Sequence, residues 1–199
     1  MTAWSTVGPL AVLFGAIFTN NILLTNYLGM CSFLAISREV KSAVGLGVAV
    51  TFVMTMTNAL NWPIYYYILV PLDLTYLGFI VYIIVIAGSV QLVEMIIERV
   101  SEPLYMTLGI FLPLITVNCA VFGAILFMFI RQYSFIASVA YGLGGGLGWA
   151  LAIVAMSGIR QKIAKAKLPK GLEGPGITLI TAGIMALAFM GFSGMIPAN

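Results

Sequence analysis

The chain has 199 residues, 62% of them hydrophobic and only 8% charged, with a net charge of +3. A soluble domain carries about 25% charged residues, so this composition cannot cover a core with a polar surface in water and belongs in a lipid bilayer. Histidine is absent, which removes the commonest general base, the commonest metal ligand and any Ser-His or Cys-His nucleophile pair; the small, localised positive charge gives no basis for a nucleic-acid partner.

Low-charge apolar runs of about 18 residues or more recur along the whole length, the pattern of membrane-spanning helices. The first run, Val7 to about Ser37, has no basic stretch before it of the kind that opens a cleavable signal peptide. As one straight helix rising about 1.5 Å per residue it would overshoot a hydrocarbon core of about 30 Å. Asn20, Asn21, Asn26 and Gly29 offer a break, because Asn side chains compete for helical backbone bonds and Gly costs about 1 kcal/mol against Ala. The expectation is a helix, an unwound turn, and a shorter helical piece carrying Cys31.

After the polar loop Arg38-Glu39-Val40-Lys41, the second run extends from Ala43 to about Val70. It begins Gly45-Leu46-Gly47, small residues that let helices approach closely. It ends among Trp62, Pro63, Tyr65, Tyr66 and Tyr67, suited to a membrane interface. Pro71-Leu72-Asp73 is a turn. The third run, Leu74 to Ile97, ends in Glu94, Glu98 and Arg99. Glu94 reads either as a snorkelling carboxylate near the loop or as a cation-pathway ligand.

Ser101-Glu102-Pro103 caps the fourth run, Leu104 to Ile130, which is interrupted by Pro113 and Asn118-Cys119. A tight loop at Arg131-Gln132-Tyr133 leads to the fifth run, Phe135 to Ile159. Its segment Gly142-Leu143-Gly144-Gly145-Gly146-Leu147-Gly148 is too apolar to cradle phosphate and reads as a close-packing seam. A basic loop, Arg160 to Pro175, precedes the last run, Gly176 to Ile196.

The expected fold is therefore an all-α integral membrane protein of about six transmembrane helices in one domain, 1–199. Halving it gives two inverted three-helix repeats, about 1–98 and 99–199, because an odd number of spans per half makes the second half enter the membrane upside down. The first helix of each repeat is broken near a cysteine, and a glycine-rich span follows. Broken spans at corresponding places in two halves point to a site near the bilayer midplane. Loops after the first, third and fifth spans carry Arg38, Lys41, Arg99, Arg160, Lys162, Lys165, Lys167 and Lys170, against only Arg131 on the other side. Basic loops face the cytoplasm, so both termini are expected outside.

Cys31 and Cys119 are the only cysteines. Three readings of them compete. They are small buried hydrophobes, as free cysteines usually are; they form a disulfide, although neither lies clearly at an oxidising face; or they bind metal. A [2Fe–2S] cluster takes four cysteine ligands, so two from this chain would require a second chain to complete the set.

The segment Leu28-Gly29-Met30-Cys31-Ser32-Phe33-Leu34-Ala35-Ile36-Ser37, the segment Leu108-Gly109-Ile110-Phe111-Leu112-Pro113-Leu114-Ile115-Thr116-Val117-Asn118-Cys119-Ala120-Val121-Phe122-Gly123 and the stretch from Ile177 to Gly194 resemble one family over essentially the whole chain. It is the small membrane subunits shared by the sodium-translocating NADH:quinone reductase and the Rnf complex. Met30 to Ser37 and Tyr133 to Ile159 are more similar to the E subunit of the quinone reductase; the Rnf A subunit typically has Pro where this chain has Ser32. The short connection from Val70 to Tyr76 is more similar to the Rnf A subunit. The resemblance implies a subunit of an ion-translocating oxidoreductase of the bacterial inner membrane, inactive alone. It implies a [2Fe–2S] cluster half-ligated by Cys31 and Cys119, completed by a paralogous subunit of opposite topology (the D subunit, or Rnf E), with flavin-bearing membrane subunits as further partners. Asn20, Asn21, Glu94 and Asn118 are candidates for an Na⁺ path or for the helix breaks themselves. A stand-alone secondary transporter, which broken inverted repeats also suit, and a scaffold with inert cysteines are the alternatives.

Overall fold

In the computed structural model, which describes residues 8–100, 115–165 and 174–192, the first apolar run breaks where its asparagines and glycine stand. Helix α1 (Pro9–Phe14) widens into a π turn, Gly15–Thr19. The Asn20 N–H donates five residues back to the Gly15 carbonyl at 2.7 Å. An irregular stretch follows, and helix α2 (Met30–Ile36) resumes after Gly29, whose φ of 86° lies in the left-handed region. Ile22, Leu23 and Leu24 in this stretch are buried. Unwound backbone is tolerated at membrane depth when protein covers it.

Helix α3 (Val40–Ile64) continues through a π turn, Tyr65–Leu69, just after Pro63. Proline lacks the N–H that would close the preceding helical turn, which accounts for the change of winding there. The turn expected at Pro71-Leu72-Asp73 is present, with Asp73 at φ 56°. A short 3₁₀ turn, Thr75–Leu77, opens α4 (Gly78–Val100). Helix α5 (Cys119–Ile130) starts at the second cysteine, α6 is Phe135–Ile163, and α7 is Pro175–Met190. No strand occurs among the described residues.

Among the described residues, three helical stretches are long and apolar enough to cross a membrane: Val40–Leu69, Thr75–Ile96 and Phe135–Ile163. Shorter apolar helices occupy Pro9–Thr19, Cys119–Ile130 and Pro175–Met190. Helix α6 continues four residues beyond the expected Ile159, so Arg160 and Lys162 belong to its last turn rather than to the loop. Cations are favourable at a helix C-terminus, where the free carbonyls carry partial negative charge. The Ser101-Glu102-Pro103 cap, Pro113, the loop residues 166–173 and both chain ends lie outside the described residues.

The glycine run organises the packing as two seams. Along one, α6 lies antiparallel to α3. A Cβ on Gly146 would stand 2.5 Å from Thr51 Cα, and one on Gly142 would stand 2.6 Å from Asn58 Nδ2; a Cβ on Gly47 of α3 would stand 2.8 Å from Ala150 Cβ. Along the other, Cβ atoms on Gly144 and Gly148 would press on the carbonyl oxygens of Leu13 and Ala16 at 2.7 and 3.0 Å. Real Cβ atoms do not approach that closely, so larger residues would separate three elements at once. This is the close-packing role expected of the run.

At one end of the bundle the aromatic residues of α3 gather as an edge. Trp62 packs on Tyr66 at 4.7 Å and meets Phe135 edge-on at 5.4 Å. Tyr65 packs on Phe129 at 4.3 Å, and the Trp62 indole N–H donates to the Tyr133 carbonyl at 3.0 Å. Apolar rings with one satisfied polar tip fit an interface between lipid and water.

Candidate metal centre at the two helix breaks

The two breaks meet. The Gly29 N–H, at the start of α2, donates to Cys119 Sγ, at the start of α5, over 2.9 Å. Cys31 is the second residue of α2 and Cys119 the first of α5, so both thiols stand in the opening turn of a half-helix. Cys31 is exposed and Cys119 half-buried, and neither is in a disulfide. Cys31 is therefore not packed in this chain's own core, where a free cysteine is normally buried. Val117, beside the second break, is 78% exposed. Each break thus has an exposed residue beside it, Cys31 at the first and Val117 at the second.

Asn118 and Ser32 tie the two half-helices together. The Asn118 side-chain oxygen caps α5 by accepting from the Ala120 N–H at 3.0 Å, the usual service of an N-cap asparagine. Its amide donates to Ser32 Oγ at 3.4 Å, and the Ser32 hydroxyl donates to the Gly29 carbonyl at 3.1 Å. Both side chains are buried. Trp149 of α6 closes the back: a Cβ on Gly29 would fall 2.5 Å from its Nε1 and 3.2 Å from Asn118 Oδ1. Gly29 is thus required twice, for its left-handed backbone and for the space it leaves.

Asn21 holds the first break from below. Its amide donates to the Ile17 and Gly148 carbonyls at 3.1 and 2.8 Å, and its oxygen accepts from the N–H groups of Leu23 and Leu24 at 3.1 and 3.3 Å. One side chain thereby satisfies backbone groups before the unwound stretch, within it and on α6. Asn20, half-buried, only ends the π turn. Arg160 secures the far end of α2, donating to the Leu34 carbonyl at 3.0 Å and to Ser37 Oγ at 2.7 Å.

Of the sequence candidates, Cys119 and Asn118 meet the residues around Cys31, at Gly29 and Ser32, and Asn21 reaches Gly148, the α6 neighbour of Trp149. Glu94 does not join this cluster: it is half-buried near the end of α4. Ser32, Trp149 and Arg160 escaped the sequence reading as site residues. Ser32 carried a signal in its place beside Cys31; Trp149 and Arg160 carried none, because their partners lie more than a hundred residues away in the chain.

The donor set suits half of a shared cluster. Two thiols are presented on one junction, with a backbone N–H already directed at one sulfur, the kind of hydrogen bond that tunes iron–sulfur potentials. No group of three or more His, Cys, Asp or Glu able to hold a metal ion forms among the described residues, so a four-thiolate cluster needs ligands from another chain.

The sequence profile of one family, described as "Rnf-Nqr subunit, membrane protein", matches residues 10–196. The chain is 53% identical over 192 residues to the E subunit of the Na(+)-translocating NADH-quinone reductase of Aeromonas salmonicida (strain A449), covering 94% of this chain and 97% of that one. It is 51% identical over 184 residues to the A subunit of the Na(+)-translocating ferredoxin:NAD(+) oxidoreductase complex of Acetobacterium woodii, covering 92% and 96%.

Proposed function

Because this chain belongs to the Rnf-Nqr family of membrane subunits, we propose that it is the E-type subunit of a redox-driven Na⁺ pump and that Cys31 and Cys119 supply half the ligands of a [2Fe–2S] cluster. A paralogous subunit of opposite topology contributes the other two thiolates, meeting this chain at the exposed Cys31. The observation that carries this reading is the Gly29 N–H to Cys119 Sγ bond at 2.9 Å, which joins the second cysteine to the first break two residues before Cys31. When bound, the cluster supplies one-electron transfer between partner subunits. The chain's own residues hold the two sulfurs: Asn118 fixes the start of α5, Ser32 links it to α2, and Trp149 keeps Gly29 seated.

The same reading completes the fold as six spans in two inverted repeats, 1–98 and 99–199. Supporting it, α3 and α6 are each the helix that follows a cysteine-bearing half-helix, and they pack antiparallel. The basic loops then face the cytoplasm of the bacterial inner membrane, with both termini outside. Glu94 is the remaining carboxylate candidate for the Na⁺ path. Asn20, Asn21 and Asn118 belong first to the breaks, since Asn21 and Asn118 are already committed to backbone and side-chain partners.

The test is iron content and electron paramagnetic resonance of the reduced, detergent-extracted complex, with and without Cys31→Ala and Cys119→Ala. A [2Fe–2S] signal absent from both variants is the expected result. An unchanged signal returns the cysteines to a packing role. The short connection from Val70 to Tyr76, which resembles that of the Rnf A subunit, and the 51% identity to one favour a second reading, the A-type subunit of an Rnf complex. NADH:quinone against ferredoxin:NAD⁺ activity of the purified complex separates the two.

A further inference from the structure

Two cavities away from the cysteines share one end of the bundle. A pocket of about 480 Å³ is lined by Arg38, Arg160, Gln161, Ala164 and Lys165. Among the described residues no carboxylate lines it, and neighbouring Glu39 accepts instead from the Ser42 hydroxyl at 3.2 Å. Arg38 lies close enough to Arg160 to repel it. Arg160 cannot swing away, because its Nη1 is held by Leu34 and Ser37. Those bonds use two of the five guanidinium N–H donors. The rest, with Arg38 and Lys165, converge on a space that calls for an anion.

A groove of about 1030 Å³ lies between α3 and α6, with Ile17 and Phe18 of the first π turn also lining it, and is apolar throughout, with Val44, Val48 and Phe52 on α3 and Leu143, Leu147 and Leu151 on α6. Even its threonines present methyl groups, since Thr51 and Thr55 turn their hydroxyls back to the Gly47 and Thr51 carbonyls at 2.7 Å each. The helical register points from the groove toward the basic pocket. On α6 the residues Leu147, Leu151, Val154, Gly158, Gln161 and Lys165 recur at three- and four-residue steps, which places them on one face. On α3 the exposed Lys41 stands one turn before Val44, and the antiparallel packing brings that end of α3 to the Arg160 end of α6.

The groove's length says what fits. From Val44 to Thr55 an α-helix rises about 17 Å, close to half of a hydrocarbon core of about 30 Å. A spanning helix from another subunit would need the full thickness. One acyl chain needs only its own leaflet.

We propose that this groove and its basic pocket bind one anionic phospholipid of the leaflet that the basic loops face, with the phosphate on Arg38, Arg160 and Lys165 and an acyl chain between Val48 and Leu147. Charge selects the lipid class, since a basic pocket between membrane helices favours anionic head groups. The apolar groove selects a lipid over a soluble anion. This site is independent of the cluster.

The test uses the complete purified complex, delipidated and reconstituted in nanodiscs of phosphatidylglycerol or phosphatidylcholine, with retained lipid read by native mass spectrometry. Arg38→Gln with Lys165→Gln leaves the anchored Arg160 in place. Phosphatidylglycerol retention should fall roughly 30-fold, about fivefold for each cation removed. Val48→Trp should abolish retention with the basic pocket intact. A photo-crosslinker at Leu147 in the unmodified background should label phosphatidylglycerol. Equal retention in the charge variant overturns the proposal. So does a Leu147 crosslink to protein, which would mean another subunit fills the groove. Inorganic phosphate that raises the unfolding temperature as much as phosphatidylglycerol, regardless of Val48→Trp, also overturns it in favour of a soluble anion.

Discussion

The two helix breaks do the same job by different means. In the first, the chain leaves the helix for the ten residues from Asn20 to Gly29, and Asn21 satisfies four backbone groups from the middle of the structure. In the second, Asn118 makes an ordinary N-cap, with Val117 swung out beside it. The first break carries two left-handed residues, Tyr27 at φ 55° and Gly29 at φ 86°. Asn118 itself is extended, at φ −74° and ψ 114°. The first is therefore a built loop that depends on one buried amide, and the second is a helix start that depends on a cap. Both place a cysteine in the opening turn of a half-helix, and that outcome is what the two halves of the chain share.

Substitutions should break this pair unequally. Asn21→Ala should have the largest effect, about 3 kcal/mol, because it leaves the Leu23 and Leu24 N–H groups without partners in a dry interior. Thermal unfolding of the detergent-extracted complex measures it, and a loss below about 1 kcal/mol would mean that water replaces the amide. Gly29→Ala should cost about 2 kcal/mol for the left-handed backbone alone. It should also displace Trp149, so a change in tryptophan fluorescence accompanies the loss; an unaltered spectrum would place the indole elsewhere. Asn118→Ala should cost about 1 kcal/mol, the usual value of a lost N-cap, and Asn118→Asp should recover most of it. If Asn118→Ala proves as damaging as Asn21→Ala, the second break depends on the Ser32 link more than on the cap.

Much of the fold could be read along the chain because its signals are local. An asparagine cluster with Gly29 inside an over-long apolar run marks a break wherever the chain goes, since a helix cannot both span that length and stay within the bilayer. The glycine run of residues 142–148 marks a seam because only small side chains permit close helix contact. Pro71-Leu72-Asp73 marks a turn. The order of importance among the asparagines was not readable. Asn20 and Asn21 are adjacent and chemically identical, but only Asn21 points at α6, where Gly148 leaves its carbonyl and the space for the amide.

The sequence by itself determined the membrane class, the two interruptions and the presence of one cysteine at each, because composition, hydrophobic length and helix-breaking residues act over a few turns of chain. Only the tertiary structure decided that the interruptions touch, that Ser32 and Trp149 close the junction, and that Arg160 ties down the end of α2 beside a basic pocket. Those contacts join residues between 86 and 126 positions apart. No local pattern encodes such pairs; they follow from which faces the glycine seams allow to meet.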